Sequence, residues 1–266
     1  MDKPIEILKM RDVNENHYID KGLLFNLPMK LLVVGKSQLS GKSNLVGALL
    51  LMKDERLYKD TWKPENIFVF SGSLQNDEKI KTICEEIGEE GIPNSNLFDT
   101  YDEEIMDTIY EMIKEKFMND IKEGDKPEHS LVILDDLSFG GNLKKSVNGA
   151  ISKMFCNGRH ILLSTILTSQ KLTDILSVCR ENATGGIFFN CSEKQLDLME
   201  QDNNYLQGGM DNPKKVFKNM FRDTTREPHS FFVVNYSNSF DKMYMNRNFI
   251  PIDIDIHKTI NKNKII

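Results

Sequence analysis

Leu31-Leu32-Val33-Val34 runs directly into Gly35-Lys36-Ser37-Gln38-Leu39-Ser40-Gly41-Lys42-Ser43, an apolar strand followed by a glycine-bounded loop that ends Gly-Lys-Ser. This is the layout of a phosphate-binding P-loop. A buried strand fixes the start of such a loop, and its backbone N–H groups line an anion nest. Residues Gly35, Lys36, Ser37, Gln38, Leu39, Ser40, Gly41, Lys42, Ser43 and Asn44 are therefore the candidate nucleotide-binding set. Lys42 is placed to reach the β- and γ-phosphates, and the Ser43 hydroxyl to hold Mg²⁺. The helix that follows adds the positive end of its dipole. Five residues separate Gly35 from Gly41 where the usual pattern has four, so Lys36 stands where the first glycine is expected. Either the loop carries one extra residue or that glycine is lost.

Downstream, Leu45, Val46, Leu49, Leu50 and Met52 fall on one helical face, as a helix packed on a sheet requires. Leu131-Val132-Ile133-Leu134 then leads into Asp135-Asp136 about ninety residues after the loop. A continuous apolar run is the signature of a parallel strand buried on both faces, and ligand-handling groups sit at the carboxyl ends of such strands. Asp135 is the candidate Walker B carboxylate, acting on Mg²⁺ directly or through water. Asp136 is the candidate to orient or deprotonate the attacking water. A further strand, Ile161 to Leu167, ends in Thr168-Ser169-Gln170. A polar residue at its tip, beside the Walker B strand, lies within reach of the γ-phosphate, and Gln170 fits that sensing role.

The fold class expected is α/β: a P-loop NTPase with a mostly parallel central sheet flanked by helices, of the additional-strand RecA/FtsK-like type. Residues 1–29 read as an N-terminal extension, 30–236 as the ATPase domain and 237–266 as a polar, weakly patterned tail. A second strand is expected at Ile67 to Phe70, followed by the polar turn SGSLQND, and 91–99 as a turn-rich connection. Thr100 and Glu103 have capping-box spacing and open a helix with Ile105, Ile109, Met112, Ile113, Phe117 and Ile121 on its apolar face, stopping at Gly124. Helices are expected up to about Phe155, up to about Cys179, and near 193–202 and 213–221; strands at Gly186 to Phe189 and Phe231 to Val234.

Composition limits the function classes. A net charge of −6 and a pI of about 5.5 leave no global basic field for nucleic acid, so any DNA contact is a local patch. Lys144 and Lys145, and Lys214, Lys215 and Lys218 before Phe221-Arg222, are the candidate patches, each equally readable as a solvated helix face. Cys84, Cys156, Cys179 and Cys191 lie far apart without CxxC spacing, and read as thiols in a reducing compartment. The N-terminus lacks a signal-peptide core, and no apolar run is long enough to span a membrane. No Asn/Thr-Lys-x-Asp base-reading motif of a switch GTPase is present, and the chain is too short for a two-motor helicase. Trp62, in a TWKPEN turn, reads as a packed anchor.

The order of P-loop, second strand with its S…ND turn, apolar-Asp-Asp, Asn157-Gly158-Arg159-His160, strand, and Thr-Ser-Gln resembles the DNA-packaging ATPases of large double-stranded DNA viruses and virophages. These are the poxvirus-type enzymes, related to the FtsK–HerA translocases. Arg180-Glu181-Asn182-Ala183-Thr184 and EPHSFFVVNY (227–236) also look like that family, and the resemblance covers about residues 30–236. It implies an ATP- and Mg²⁺-dependent homo-oligomeric ring of five or six subunits. That ring would thread duplex DNA, without reading its sequence, into a preformed capsid through a portal or capsid partner, in the viral factory of the host-cell cytoplasm, with the virion as a second location. It also implies an arginine that completes the neighbouring subunit's site, with Arg159 the first candidate and Arg180 the second. A ring helicase, a segregation translocase and a nucleotide-binding assembly factor with little turnover remain alternative readings.

Overall fold

A computed structural model describes residues 15–37, 40–136, 149–206 and 211–259. Strands β1 (Lys30–Val34), β2 (Ile67–Ser71), β3 (Leu97–Phe98), β4 (Ser130–Asp135), β5 (Leu163–Ser169), β6 (Gly185–Phe189), β7 (Phe231–Asn235) and β8 (Tyr244–Met245) form one sheet in the order β3-β2-β4-β5-β1-β6-β7-β8. Every pairing from β3 to β6 is parallel, and β7 and β8 close one edge antiparallel. Strand β5 lies between β1 and β4, which is the additional-strand arrangement expected.

Both faces are covered, which is why the central strands are apolar without alternation. Leu31 and Val33 face a core built with α1 (Lys42–Leu51), α2 (Glu78–Glu86) and residues Leu24, Phe25, Leu27 and Met29. Leu32 and Val34 face a second core under α3 (Glu103–Glu123), α4 (Ala150–Asn157), α5 (Ser177–Glu181), α6 (Glu193–Asn203) and α7 (Pro213–Thr224). Part of the segment expected as an extension is thus core. Phe25 O accepts from Tyr58 Oη at 2.8 Å, and Asn235 Nδ2 donates to Leu23 O and Leu24 O.

Several boundaries differ from the sequence reading for local physical reasons. Asp102, not Thr100, caps α3, because its carboxylate accepts from the N–H groups of Glu104 and Ile105. The buried face of α3 accordingly carries Met106, Ile109, Tyr110, Ile113 and Phe117, while Ile105 and Met112 are exposed. Strand β5 starts at Leu163 because Gly158–Ile161 forms a 3-10 turn that Leu162 ends in a left-handed conformation, at φ 53°. Within the supposed turn-rich connection Leu97–Phe98 adds an edge strand, Phe98 stacking on Phe70. The segment expected as a tail also supplies β8 and α8 (Ile254–Thr259). Trp62 is buried against Tyr58.

Candidate active site

Four parallel strands deliver the site at their carboxyl ends. Strand β1 runs into Gly35, where a Cβ would come within 2.7 Å of Ser40 Cβ and 2.8 Å of Phe189 Cβ, so only glycine lets the loop pass there. Ser40 Oγ donates to Lys36 O at 2.7 Å, drawing the loop together. Gly41 adopts φ 87° and caps α1, its carbonyl accepting from Leu45 N at 2.9 Å. Lys42, in the first turn, is buried and donates from Nζ to Gly35 O at 2.7 Å. Burial pulls its ammonium below the usual lysine range, against the opposing pull of Asp136 and Asp135. Gln38 and Leu39 lie outside the described residues, as do Lys144 and Lys145.

Asp135 closes β4, buried to 4% exposure. Its Oδ1 accepts from Thr168 Oγ1 at 2.7 Å and its Oδ2 from Ser71 Oγ at 3.0 Å. Burial nevertheless raises its pKa, the two hydroxyl donors opposing the shift and the neighbouring Asp136 adding to it. Asp136 turns the chain at φ 43° and donates its N–H to Thr168 Oγ1 at 3.1 Å. Gln170 Nε2, one step beyond β5, donates to Asp136 Oδ2 at 2.7 Å. Thr168 therefore ties both aspartates to β5, and Gln170 orients the second.

Lys42, Ser43, Asn44, Asp135, Asp136 and Gln170 line one cavity of about 400 Å³. A second cavity of about 360 Å³, lined by Lys36, Asn190 and Pro228 among others, shares Ser40 and His229 with the first. His229 sits at φ 60° with its imidazole over Gly41. The hydroxyl of Ser43 and the carboxylate of Asp135 form an oxygen donor set suited to a hard divalent cation that takes its remaining ligands from phosphates and water.

Ser71, Thr168 and His229 were not singled out as site residues by the sequence reading. Ser71 and Thr168 occupy the carboxyl ends of the strands flanking β4, a position that signals ligand handling in such sheets. The two arginines go elsewhere. Arg159 is exposed in the 3-10 turn before β5, at the opposite end of the sheet from Lys42. Arg180 is half-buried, pairs with Asp202 at 3.0 Å and turns its guanidinium toward the carbonyls of Leu172 and Ile175. The basic face of α7 is largely balanced, Lys218 pairing with Glu193 and Asp197, and Arg222 with Glu193.

The family model described as Poxvirus A32 protein matches residues 17–263. The genome packaging NTPase B204 from Sulfolobus turreted icosahedral virus 2, in complex with AMP, superposes with a TM-score of 0.55 at 15% identity, covering 85% of this chain and 98% of that one. The DNA-packaging ATPase B204 from Sulfolobus Turreted Icosahedral Virus gives 0.53 at 18% identity, covering 85% and 99%. No curated protein sequence matches the chain.

Proposed function

The chain belongs to the poxvirus A32 protein family and is an ATPase of the P-loop fold, and on that premise we propose that it is a DNA-translocating motor that packages viral double-stranded DNA. The observation that carries the reading is the convergence of Lys42, Asp135, Asp136 and Gln170 on one cavity. The P-loop amides and Lys42 bind the phosphates of ATP, and the nucleoside takes the adjoining cavity that shares Ser40 and His229 and reaches Pro228. Ser43 and Asp135 would hold Mg²⁺, which would supply neutralisation of the phosphate charge. Asp136, fixed by Gln170, accepts the proton of the attacking water, and Lys42 stabilises negative charge as the γ-phosphoryl group departs. Arg159 acts in trans: it lies too far from its own P-loop to touch it, and serves the site of a neighbouring subunit in a homo-oligomeric ring. Among the described residues no helix is long and apolar enough to cross a membrane.

The test is Mg²⁺-ATP hydrolysis with and without duplex DNA, for the natural chain beside Lys42→Ala. Turnover that rises with DNA and disappears in the variant supports the motor. Nucleotide binding with no turnover in either condition replaces it with an assembly factor.

A further inference from the structure

The turn that joins α7 to β7 carries a histidine where the backbone calls for glycine. Ser230 N donates to Glu227 O at 3.1 Å, closing a four-residue turn with Pro228 second and His229 third. His229 has φ 60°. Proline at the second position and a positive φ at the third are the marks of a type II turn, whose third residue is ordinarily glycine because a Cβ is strained there. Packing does not account for the exception, since His229 is exposed. A strained residue that fills no core points to work done by its side chain.

The turn is held against the P-loop. Phe231, the first residue of β7, pairs in register with Phe189 at the end of β6, and the two rings meet edge-on at 5.5 Å. Phe189 in turn abuts Gly35, the residue at which the loop begins. This frame brings His229 Nδ1 to 3.5 Å from where a Cβ on Gly41 would stand. His229 thus lies at the junction of the two cavities and belongs to the lining of both. Two buried hydroxyls nearby are directed at main-chain carbonyls, Ser40 Oγ at Lys36 O and Thr225 Oγ1 at Phe221 O. The imidazole carries an N–H in either tautomer, and so offers a donor to an anion that crosses the junction.

With the β- and γ-phosphates at Lys42 and the nucleoside in the adjoining cavity, the group that crosses the junction is the α-phosphate. We propose that His229 binds the α-phosphate of the nucleotide, its imidazole N–H donating to a non-bridging oxygen. The inference rests on the nucleotide reading of the two cavities given above, and adds to it a binding residue delivered by the antiparallel edge of the sheet. The α-phosphate keeps its charge while the γ-phosphoryl group departs, so the contact is made equally in the ground state and the transition state. It therefore sets affinity and leaves the chemical step alone.

The test uses the full-length chain with Mg²⁺-ATP, AMP and adenosine as probes. His229→Gly suits the left-handed backbone and is expected to keep the thermal midpoint. Its KM for Mg²⁺-ATP is expected to rise at least about tenfold, the worth of a hydrogen bond to a charged group, with kcat changed less than about twofold. AMP affinity should fall by the same factor and adenosine affinity should hold, because only AMP carries the α-phosphate. Lys42→Ala should do the reverse, keeping AMP and losing turnover. His229→Asn, which tolerates the left-handed region and offers an amide N–H, should recover part of the loss. Unchanged KM and AMP affinity in His229→Gly overturn the proposal and leave the nucleotide site standing. A fall in kcat at constant KM overturns it too, since the turn would then be shaping the P-loop, and so does an equal loss of adenosine. Undiminished turnover in Lys42→Ala overturns the nucleotide reading and the proposal together. If His229→Gly does not fold, His229→Ala carries the same test.

Discussion

The two ends of the one parallel sheet treat charge in opposite ways. At the carboxyl ends, the carboxylates are held by neutral donors of the same subunit: Asp135 by Ser71 and Thr168, Asp136 by Gln170. Their orientation is set locally, and their charge is aimed into a cavity with Lys42. At the amino ends, Glu128 is engaged by Lys63, Lys116 and Asn66, while Arg159 stands exposed in the turn before β5. A sheet end that is balanced internally can bind and react with a ligand by itself. An arginine exposed at the other end can serve only something brought from outside.

The comparison breaks first at Arg159. If the amino end serves a neighbour's nucleotide, Arg159→Ala lowers kcat by about 10³–10⁵, with nucleotide affinity of the isolated subunit unchanged by calorimetry. If Arg159 is an ordinary surface arginine, both quantities stay within a factor of two. Asp136→Asn tests the carboxyl end and comes next. Loss of a general base costs about 10²–10⁴ in kcat, without restoration by Arg159-intact partners, because the defect lies inside the subunit whose P-loop is occupied. A mixed assembly that does restore Asp136→Asn would erase the distinction between the two ends.

The same contrast explains what the sequence made legible. The P-loop, the apolar run into Asp135-Asp136 and the strand tip at Gln170 are contiguous patterns whose spacing carries their chemistry. Thr168 and Ser71 belong to the site through partners 33 and 64 residues away, and only the strand order β2-β4-β5 brings them beside Asp135. His229 reaches Gly41 from the far side of the chain, through a turn whose positive φ leaves no periodic signal. Lys30 lies outside the apolar run that marks β1, because nothing in a linear pattern says that helices cover it. Local motifs were visible, and cross-strand chemistry was not. Thr168→Val sharpens this point. It removes a donor to Asp135 and an acceptor for the Asp136 N–H, leaving buried groups unpaired, and should cost about 1–3 kcal/mol of stability in denaturant unfolding. Thr168→Ser, which keeps the hydroxyl, should recover most of it, and should keep the turnover that Thr168→Val loses.

The smallest effect expected is at the amino end, where Glu128 is a charge satisfied within its own subunit. Hydrogen bonds from Lys63, Lys116 and Asn66 hold its carboxyl at about 2, well below the usual range. A group whose pKa is depressed on folding adds stability above its unfolded pKa, and that stability is lost as pH falls through the folded value. Glu128→Gln should therefore lower the thermal midpoint at neutral pH by the equivalent of about 0–1 kcal/mol, since the pairs are partly solvated. The difference from the natural chain should be flat above about pH 5 and vanish towards pH 2.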